Sequence, residues 1–142
     1  MQIERITVED LQPLEAFLAS CGSSLETFRY FSSRSLSVIQ NHLVTLLGFD
    51  ENRIPVAYGH LDQENEVVWL GICISESNLG EGYGNLMMEA LLDAARELNV
   101  ESIDLTVDAE NSNAIRLYEK FGFCSKEKSP KVFRYKLNLS EE

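Results

Sequence analysis

The spacing of hydrophobic residues predicts seven strands. Short apolar runs, or apolar and polar residues in alternation, fall at 3–6, 44–49, 56–61, 67–74 and 102–107, with two more strands within 124–139. Polar turns at 50–55 and 62–65 separate the second, third and fourth strands. The run at 67–74 is apolar at every position and predicts a central strand that is covered on both faces.

Apolar residues spaced three and four apart predict the helices. The first is capped by Thr7, and its buried face carries Leu11, Leu14 and Leu18. Residues 25–41 are polar and aromatic and predict one or two short helices. The longest helix is predicted at 82–98, with its inward face formed by Met87, Ala90, Leu91, Ala94 and Leu98.

A further helix is predicted at 114–121, where Ala114, Leu117, Tyr118 and Phe121 form one apolar stripe. Either Asn111 or Asn113 can cap its start, and Gly122 suits the left-handed position past its end. Tyr118 places a hydroxyl on the buried face, and that hydroxyl needs a partner in the core or in a ligand. A core tyrosine and a ligand-binding tyrosine are both open interpretations.

The order of these elements predicts a mixed α/β fold with helices on both faces of one sheet. The helix between strands 67–74 and 102–107 makes a crossover, so that pair should be parallel and the other strands mostly antiparallel. The length of 142 residues indicates a single domain spanning 1–142.

Charge and composition exclude some partners. The net charge of −11 argues against nucleic acid and anionic membranes. There is no apolar stretch long enough to span a membrane, and no signal sequence is visible at the N-terminus. Cys21, Cys73 and Cys124 lack disulfide or metal-ligand spacing, which favours a cytoplasmic protein with reduced thiols and no metal.

A glycine loop, defined here as residues 75–85, joins the central strand to the long helix. Gly80, Gly82 and Gly84 leave backbone N–H groups unshielded at a helix N-terminus, where they can bind phosphate. A tight turn is the simpler alternative. The loop is not a Rossmann fingerprint, because Asn85 occupies the third glycine position, and it lacks the Gly-Lys-Ser/Thr of a P-loop.

These two segments together resemble the GNAT superfamily of acyl-CoA-dependent N-acetyltransferases. The first motif stands as Leu79-Gly-Glu-Gly-Tyr-Gly84, and the second is matched by Asn111, Ala114, Leu117, Tyr118, Gly122 and Phe123. The resemblance implies the GNAT fold, in which the central parallel strands splay apart. It also implies acetyl-CoA as co-substrate and direct attack by an amine in a ternary complex.

The resemblance also implies roles for individual residues. The pyrophosphate would lie on the amides of residues 80–84, and the pantetheine arm would pair with 72–74. Tyr118 would return a proton to the departing thiolate. The cofactor-binding residues implied in this way are Ile72, Cys73, Ile74, Leu79, Gly80, Gly82, Tyr83, Gly84, Asn111, Ala114, Tyr118 and Lys120.

The chain departs from the family pattern at three positions. Leu79 supplies no side-chain donor, and Glu81 adds a negative charge that Lys120 could offset. In many relatives a glutamate at one strand position acts as the general base that deprotonates the amine, and here that position is Thr106. His60 is the candidate base, because an imidazole has a suitable pKa, although a lone histidine in a strand is more often structural. The remaining alternatives are Glu66, Asp104 and a chain of water molecules.

An acceptor pocket is predicted between the first and second helices. Phe28, Arg29, Tyr30 and Arg34 could stack on a ligand and bind an anionic group, or could simply pack on the sheet. A small amine such as an amino sugar is slightly favoured over a protein amine. A non-catalytic acyl-CoA sensor is the second hypothesis, and a homodimer is possible.

Overall fold

The computed structural model describes residues 1–140, which form ten regular helices and strands and four short 3-10 helices. The regular elements are β1 (Gln2–Arg5), α1 (Gln12–Ser20), β2 (His42–Phe49), β3 (Pro55–Glu64), β4 (Val67–Ile74), α2 (Tyr83–Glu97), β5 (Ser102–Asp108), α3 (Ser112–Lys120), β6 (Cys124–Lys128) and β7 (Val132–Asn138). The 3-10 helices lie at Gly22–Glu26, Tyr30–Ser32, Leu36–Asn41 and Glu76–Asn78. None of the helices in this part of the chain is long and apolar enough to cross a membrane.

All seven strands form one sheet in the order β1-β2-β3-β4-β5-β7-β6. The predicted crossover is confirmed, because β4 and β5 are parallel and the other five pairs are antiparallel. The β4–β5 pairing is limited to Trp69 opposite Asp104. Beyond that point the two strands separate towards their C-terminal ends, as the predicted splay requires.

The two faces of the sheet are covered differently. On one face, α2 and α3 pack on a continuous apolar core that includes Leu61, Leu91, Leu105 and Leu137. On the other face, α1 and the first three 3-10 helices cover β2 and β3 with a smaller cluster that includes Phe17 and Tyr58. The first core buries more apolar area and therefore contributes most of the hydrophobic stabilisation.

The register of α2 differs from the prediction by a small rotation. Met87 and Leu91 are buried as expected, but Leu98 is 47% exposed. Met88, Leu92 and Ala95 complete the buried face. Leu98 lies at the C-terminal cap, where the chain has already left the helix, so helical spacing no longer fixes its direction.

The prediction that Thr7 caps the first helix is wrong. The helix begins at Gln12 after Leu11, and the Thr7 hydroxyl instead accepts a hydrogen bond from the N–H of Glu9. Pro13 explains the difference. In a helix that starts beside Thr7, Pro13 would fall in the second turn, where its missing N–H would cost a hydrogen bond. In the first turn of α1 no such bond is needed.

The predicted turn at 62–65 is also wrong. Strand β3 continues to Glu64, and a two-residue hairpin loop follows, in which Asn65 and Glu66 have φ of 51° and 70°, respectively. Left-handed conformations at both central positions match the twist of the flanking strands. Asn-Gly is the usual sequence for this turn, so Asn-Glu gave a weak signal. The extension places Asp62 inside a strand.

Strand β4 is not covered on both faces along its length, contrary to the prediction. Trp69, Gly71 and Ile72 are only half-buried because they face the gap between β4 and β5. The apolar run at 67–74 therefore belongs to a strand in which some residues lie in the core and others line a cleft.

Candidate active site

A single cleft of about 850 Å³ occupies the gap where β4 and β5 separate. It is lined by both strands, the glycine loop, the start of α3 and the segment 23–34. Most of the residues predicted for the site line this one cleft: Phe28, Arg29, Tyr30, Arg34, His60, Ile72, Cys73, Ile74, Leu79, Gly80, Gly82, Tyr83, Gly84, Asn111, Ala114 and Tyr118. Sequence positions more than 80 residues apart therefore meet in one place.

The glycine loop has the backbone geometry of an anion site. Gly80 and Gly82 have φ of +81° and +83°, and a Cβ added at either would meet no atom within 4 Å. That face of the loop is therefore open to the cleft. Gly82 precedes α2, whose first-turn N–H groups have no partner within the helix and carry the positive end of its dipole.

Lys120 lies outside the cleft wall but beside the glycine loop. Its Nζ donates to Oδ1 of Asn85 at 2.7 Å, which joins the end of α3 to the start of α2. The carboxylate of Glu81 is exposed and accepts from Nδ2 of Asn78 at 3.3 Å. Lys120 and Glu81, the two charged residues predicted near the loop, are thus hydrogen-bonded to neutral amide side chains and not to each other.

Asn111 caps α3 as one of the two predicted candidates. Its Oδ1 accepts from the N–H of Ala114 at 3.3 Å, and Gly122 follows the helix with φ of +96°. These local signals fix the start and end of α3. The position of Tyr118 along the cleft follows from them.

Tyr118 is 6% exposed, and its ring packs against Phe123 in the core. Among residues 1–140 its hydroxyl has no hydrogen-bond partner, and this part of the chain holds no fully buried side-chain oxygen that lacks one. The hydroxyl therefore reaches the cleft that Tyr118 lines. Burial, with a smaller effect of Cys73, raises the pKa of Tyr118, which keeps it protonated at neutral pH.

His60 lies on the opposite face of the sheet and is 3% exposed. Its Nδ1 is 2.6 Å from the hydroxyl of Tyr58. A Cβ added to Gly71 would lie 2.5 Å from Nε2 and Cε1 of His60, so the ring rests on β4 in the space that glycine leaves. Nε2 has no partner within residues 1–140 and, by the same reasoning as for Tyr118, opens on the cleft.

The charge state of His60 follows from its surroundings. Burial first, and then the nearby His42 and Arg34, lower the pKa of His60 well below its ordinary value. The imidazole is therefore neutral at pH 7 and can accept a proton, but it is a weaker base than the pKa expected from the sequence would make it. Which ring nitrogen carries the proton depends on whether the Tyr58 hydroxyl donates to Nδ1 or accepts from it.

A partly buried polar network adjoins His60 and was not predicted from the sequence. The hydroxyl of Tyr30 donates to Oδ2 of Asp62 at 2.9 Å and lies 2.7 Å from Nε2 of His42. Because that hydroxyl donates to Asp62, it accepts from Nε2–H, and Nδ1 of His42 accepts from Thr45 at 2.8 Å. In the sequence, only the alternation of the polar residues Tyr58, His60 and Asp62 along β3 could have indicated this network.

The two arginines predicted for the acceptor pocket are already engaged. Arg29 forms a two-pronged ion pair with Asp108, with distances of 2.9 and 3.2 Å. Arg34 lies over the ring of Tyr30 at 4.2 Å and donates to its carbonyl oxygen. The aromatic packing that the sequence left as the alternative is therefore present, since Phe28 and Tyr30 contact the ring of His60.

The other candidate bases fall outside the cleft. Glu66 is exposed at the β3–β4 hairpin. Asp104 is 3% exposed and is paired with Arg134, whose terminal nitrogen is 2.6 Å away. Thr106 does line the cleft, as the family pattern requires of that position.

Cys73 is a buried thiol rather than a free nucleophile. Its Sγ lies 3.4 Å from Sγ of Cys21, and both cysteines are reduced. The hydrogen bond with Cys21, together with burial, raises the pKa of Cys73. Its contribution to the cleft is therefore the backbone of β4.

The model for the acetyltransferase (GNAT) family matches residues 8–123, and the chain belongs to this family. A mycothiol acetyltransferase of Propionibacterium freudenreichii subsp. shermanii is 32% identical over 94 residues, which cover 66% of this chain and 29% of the relative. A spermine/spermidine N(1)-acetyltransferase of Bacillus subtilis is 41% identical over 64 residues, which cover 44% of this chain and 42% of the relative. The chain thus spans less than half the length of these curated relatives.

Solved structures share the fold. The GNAT domain of S. lividans PAT has a TM-score of 0.80 at 17% identity, covering 96% of this chain and 89% of the other. A Salmonella typhimurium protein solved with its cofactor acetyl-CoA has a TM-score of 0.76 at 16% identity, covering 99% and 95%. These matches confirm the predicted GNAT fold, with its mixed sheet, splayed parallel pair and helices on both faces.

Proposed function

We propose that this chain is an N-acetyltransferase that moves an acetyl group from acetyl-CoA to a primary amine in a ternary complex. The observation that carries the proposal is the cleft itself, which joins an open glycine loop, a splayed strand and the Tyr118 hydroxyl. The comparisons support the class of reaction, because the curated relatives are named acetyltransferases.

The residues present fit acetyl-CoA, which would supply the acetyl group as a reactive thioester. The amides of residues 80–84 and the N-terminus of α2 suit its pyrophosphate. The strand edge at Ile72–Ile74, which β5 leaves unpaired, suits the pantetheine arm. Leu79, 59% exposed at the rim, provides apolar contact rather than a polar donor.

Two groups on opposite faces of the sheet would move the protons. Tyr118 would donate its proton to the departing sulfur as the carbon–sulfur bond breaks and the new carbon–nitrogen bond forms. His60 would accept the proton that the amine nitrogen loses. This role requires the tautomer in which Nδ1–H donates to the hydroxyl oxygen of Tyr58 and leaves Nε2 free to accept.

The acceptor would enter over β3, where His60 and the aromatic side chains of Phe28 and Tyr30 meet. A small amine remains favoured over a protein amine, since aromatic side chains line this part of the cleft. The relatives' names, with mycothiol and spermine/spermidine, are consistent with small acceptors. Three cysteines without disulfide spacing support a cytoplasmic location.

A thiol-release assay with acetyl-CoA and a panel of amines tests the proposal. Tyr118→Phe should lower kcat by roughly tenfold or more, as for the loss of a general acid. Tyr135→Phe is the matched control, because Tyr135 is a buried tyrosine that bonds to Glu119 outside the cleft. An unchanged kcat in Tyr118→Phe would make the tyrosine structural. Binding of acetyl-CoA without turnover of any amine would favour the non-catalytic sensor.

A further inference from the structure

Beyond His60, the acceptor side of the cleft contains a carboxylate that has no cationic partner. Asp62 is 6% exposed and lines the cleft. Its Oδ2 accepts from Tyr30, while Oδ1 has no hydrogen-bond partner among residues 1–140. Since no fully buried oxygen in this region is unpaired, Oδ1 opens on the cleft.

The nearby arginine side chains are paired with groups other than Asp62. Within residues 1–140, none of the ion pairs involves Asp62. Arg29 is committed to Asp108, and Arg34 to the ring and carbonyl of Tyr30. A buried carboxylate without a counter-ion is costly, so its position at a ligand cleft indicates that the ligand provides the charge.

Aromatic rings border the position of Asp62. Asp62 lies directly opposite Trp69 in the antiparallel pairing of β3 and β4, and directly opposite residues share a face of the sheet. Trp69 lines the cleft, and the guanidinium of Arg134 covers its ring from a distance of 4.9 Å. Tyr30 contributes a second ring. Because guanidinium groups already lie over both rings, Arg134 over Trp69 and Arg34 over Tyr30, the recognition of an organic cation depends mainly on the Asp62 carboxylate.

The spacing along β3 sets the length of the ligand. His60 and Asp62 are two residues apart on the same face, so they are separated by about 7 Å along the strand. Glu64 follows at the next position on that face and also lines the cleft. A linear chain of about four or five methylene groups spans the first interval, given a carbon–carbon bond of about 1.5 Å.

We infer that the acceptor is a linear diamine or polyamine, whose reacting amine lies at His60 and whose second ammonium group binds Asp62. The inference rests on the proposed acetyltransferase function and specifies its substrate class. Asp62 is thus a specificity residue, and the amino sugar favoured from the sequence alone is replaced by an aliphatic cation.

The first test uses the unaltered protein. We expect kcat/KM for cadaverine to exceed that for n-pentylamine, which has the same chain length but one charge, by about tenfold or more. In a series of diamines, kcat/KM should be highest near the length of putrescine and cadaverine and lower for a shorter diamine. Equal values for the diamine and the monoamine would overturn the inference while leaving the acetyltransferase function intact.

The second test uses Asp62→Asn, which keeps an oxygen that can accept from Tyr30. The preference for cadaverine over n-pentylamine should fall to about threefold or less. Asp93→Asn is the matched control, because that carboxylate lies on α2 outside the cleft and pairs with Arg96. Equal losses with both amines would overturn the specificity role of Asp62.

A calorimetric titration of cadaverine into the protein–CoA complex separates the two proposals. Binding that Asp62→Asn weakens by about tenfold, without turnover of any amine, would support the ammonium site and overturn the acetyltransferase function. Turnover of monoamines without a diamine preference would support the acetyltransferase function and overturn the ammonium site. If cadaverine did not bind and no amine were turned over, both proposals would be overturned.

Discussion

The two halves of the cleft are made of different chemical material. The half proposed for acetyl-CoA presents backbone amides, from the glycine loop and the unpaired edge of β4, with Tyr118 as its main polar side chain. The half proposed for the acceptor presents polar side chains, namely the buried His60 and Asp62 and the half-buried Tyr30. A backbone site depends on local conformation, whereas a side-chain site depends on contacts between distant segments.

The largest expected effect would come from the acceptor half. His60→Gln removes the proposed base, and kcat should fall by about a hundredfold, within the usual range for general-base loss. The KM for acetyl-CoA should stay within about twofold of the unaltered value, because His60 does not touch the glycine loop. Steady-state kinetics with cadaverine would measure both constants.

Tyr58→Phe is the control for this substitution, because it keeps the imidazole and removes only the partner of Nδ1. It should cause a smaller decrease in kcat than His60→Gln. If His60→Gln retained the original kcat, the base would have to be water or another group. The acceptor half would then not supply the general base.

The backbone half could largely be predicted from the sequence. Gly122 adopts the left-handed conformation that its position indicated, Gly80 and Gly82 turn the loop with φ of +81° and +83°, and Asn111 caps α3. These features follow from residues within a few positions of one another, so one segment contains the whole signal. The hydroxyl of Tyr118 reaches the cleft because those caps fix the register of α3.

The acceptor half could be predicted only in outline. Phe28 and Tyr30 line the cleft as expected, but the role of Asp62 depends on a hydrogen bond across 32 residues. The sequence also concealed the end of β3, because Asn65 and Glu66 take left-handed conformations without glycine. With the strand ended too early, Asp62 was assigned to a turn instead of the cleft.

The acetyl-CoA half should be sensitive to a change that leaves the acceptor half unaltered. Gly82→Ala puts a Cβ at φ of +83°, which costs roughly 1–2 kcal/mol and should displace the aligned amides. The dissociation constant of CoA should rise by about tenfold, as measured by calorimetry. At saturating acetyl-CoA, the preference for diamines should remain.

Gly122→Ala provides the matched control, since φ there is +96° but the residue lies past the end of α3 and outside the cleft. It should lower stability without changing the affinity for CoA. A Gly82→Ala protein that binds CoA normally would show that the glycine loop is only a turn.

Acid should destabilise the acceptor half first. The pKa of His60 is held well below its ordinary value by burial, so the folded protein binds fewer protons than the unfolded chain below about pH 6.5. The stabilisation is complete above that pH and is lost as the pH falls. The free energy of unfolding should decrease by about 1.4 kcal/mol per pH unit from His60 alone.

Urea denaturation at several pH values between 7.5 and 5 would measure this slope, and His60→Phe should reduce it. His42, whose pKa burial also lowers, would contribute the remaining dependence. A slope that is the same in His60→Phe would mean that His60 is accessible enough to be protonated in the folded state.

The smallest effect is expected at Arg29, which bridges the two halves through Asp108 on β5. The ion pair is well aligned, but the side chain of Arg29 is 55% exposed, and pairs of this kind contribute little to stability. Arg29→Met should change the free energy of unfolding by less than about 1 kcal/mol. It would also free Asp108 in the cleft wall, so the KM for cadaverine should fall slightly rather than rise. A loss of stability well above this value would mean that the segment before β2 is held over the cleft by this ion pair, and that the acceptor half depends on a surface contact as well as on its buried network.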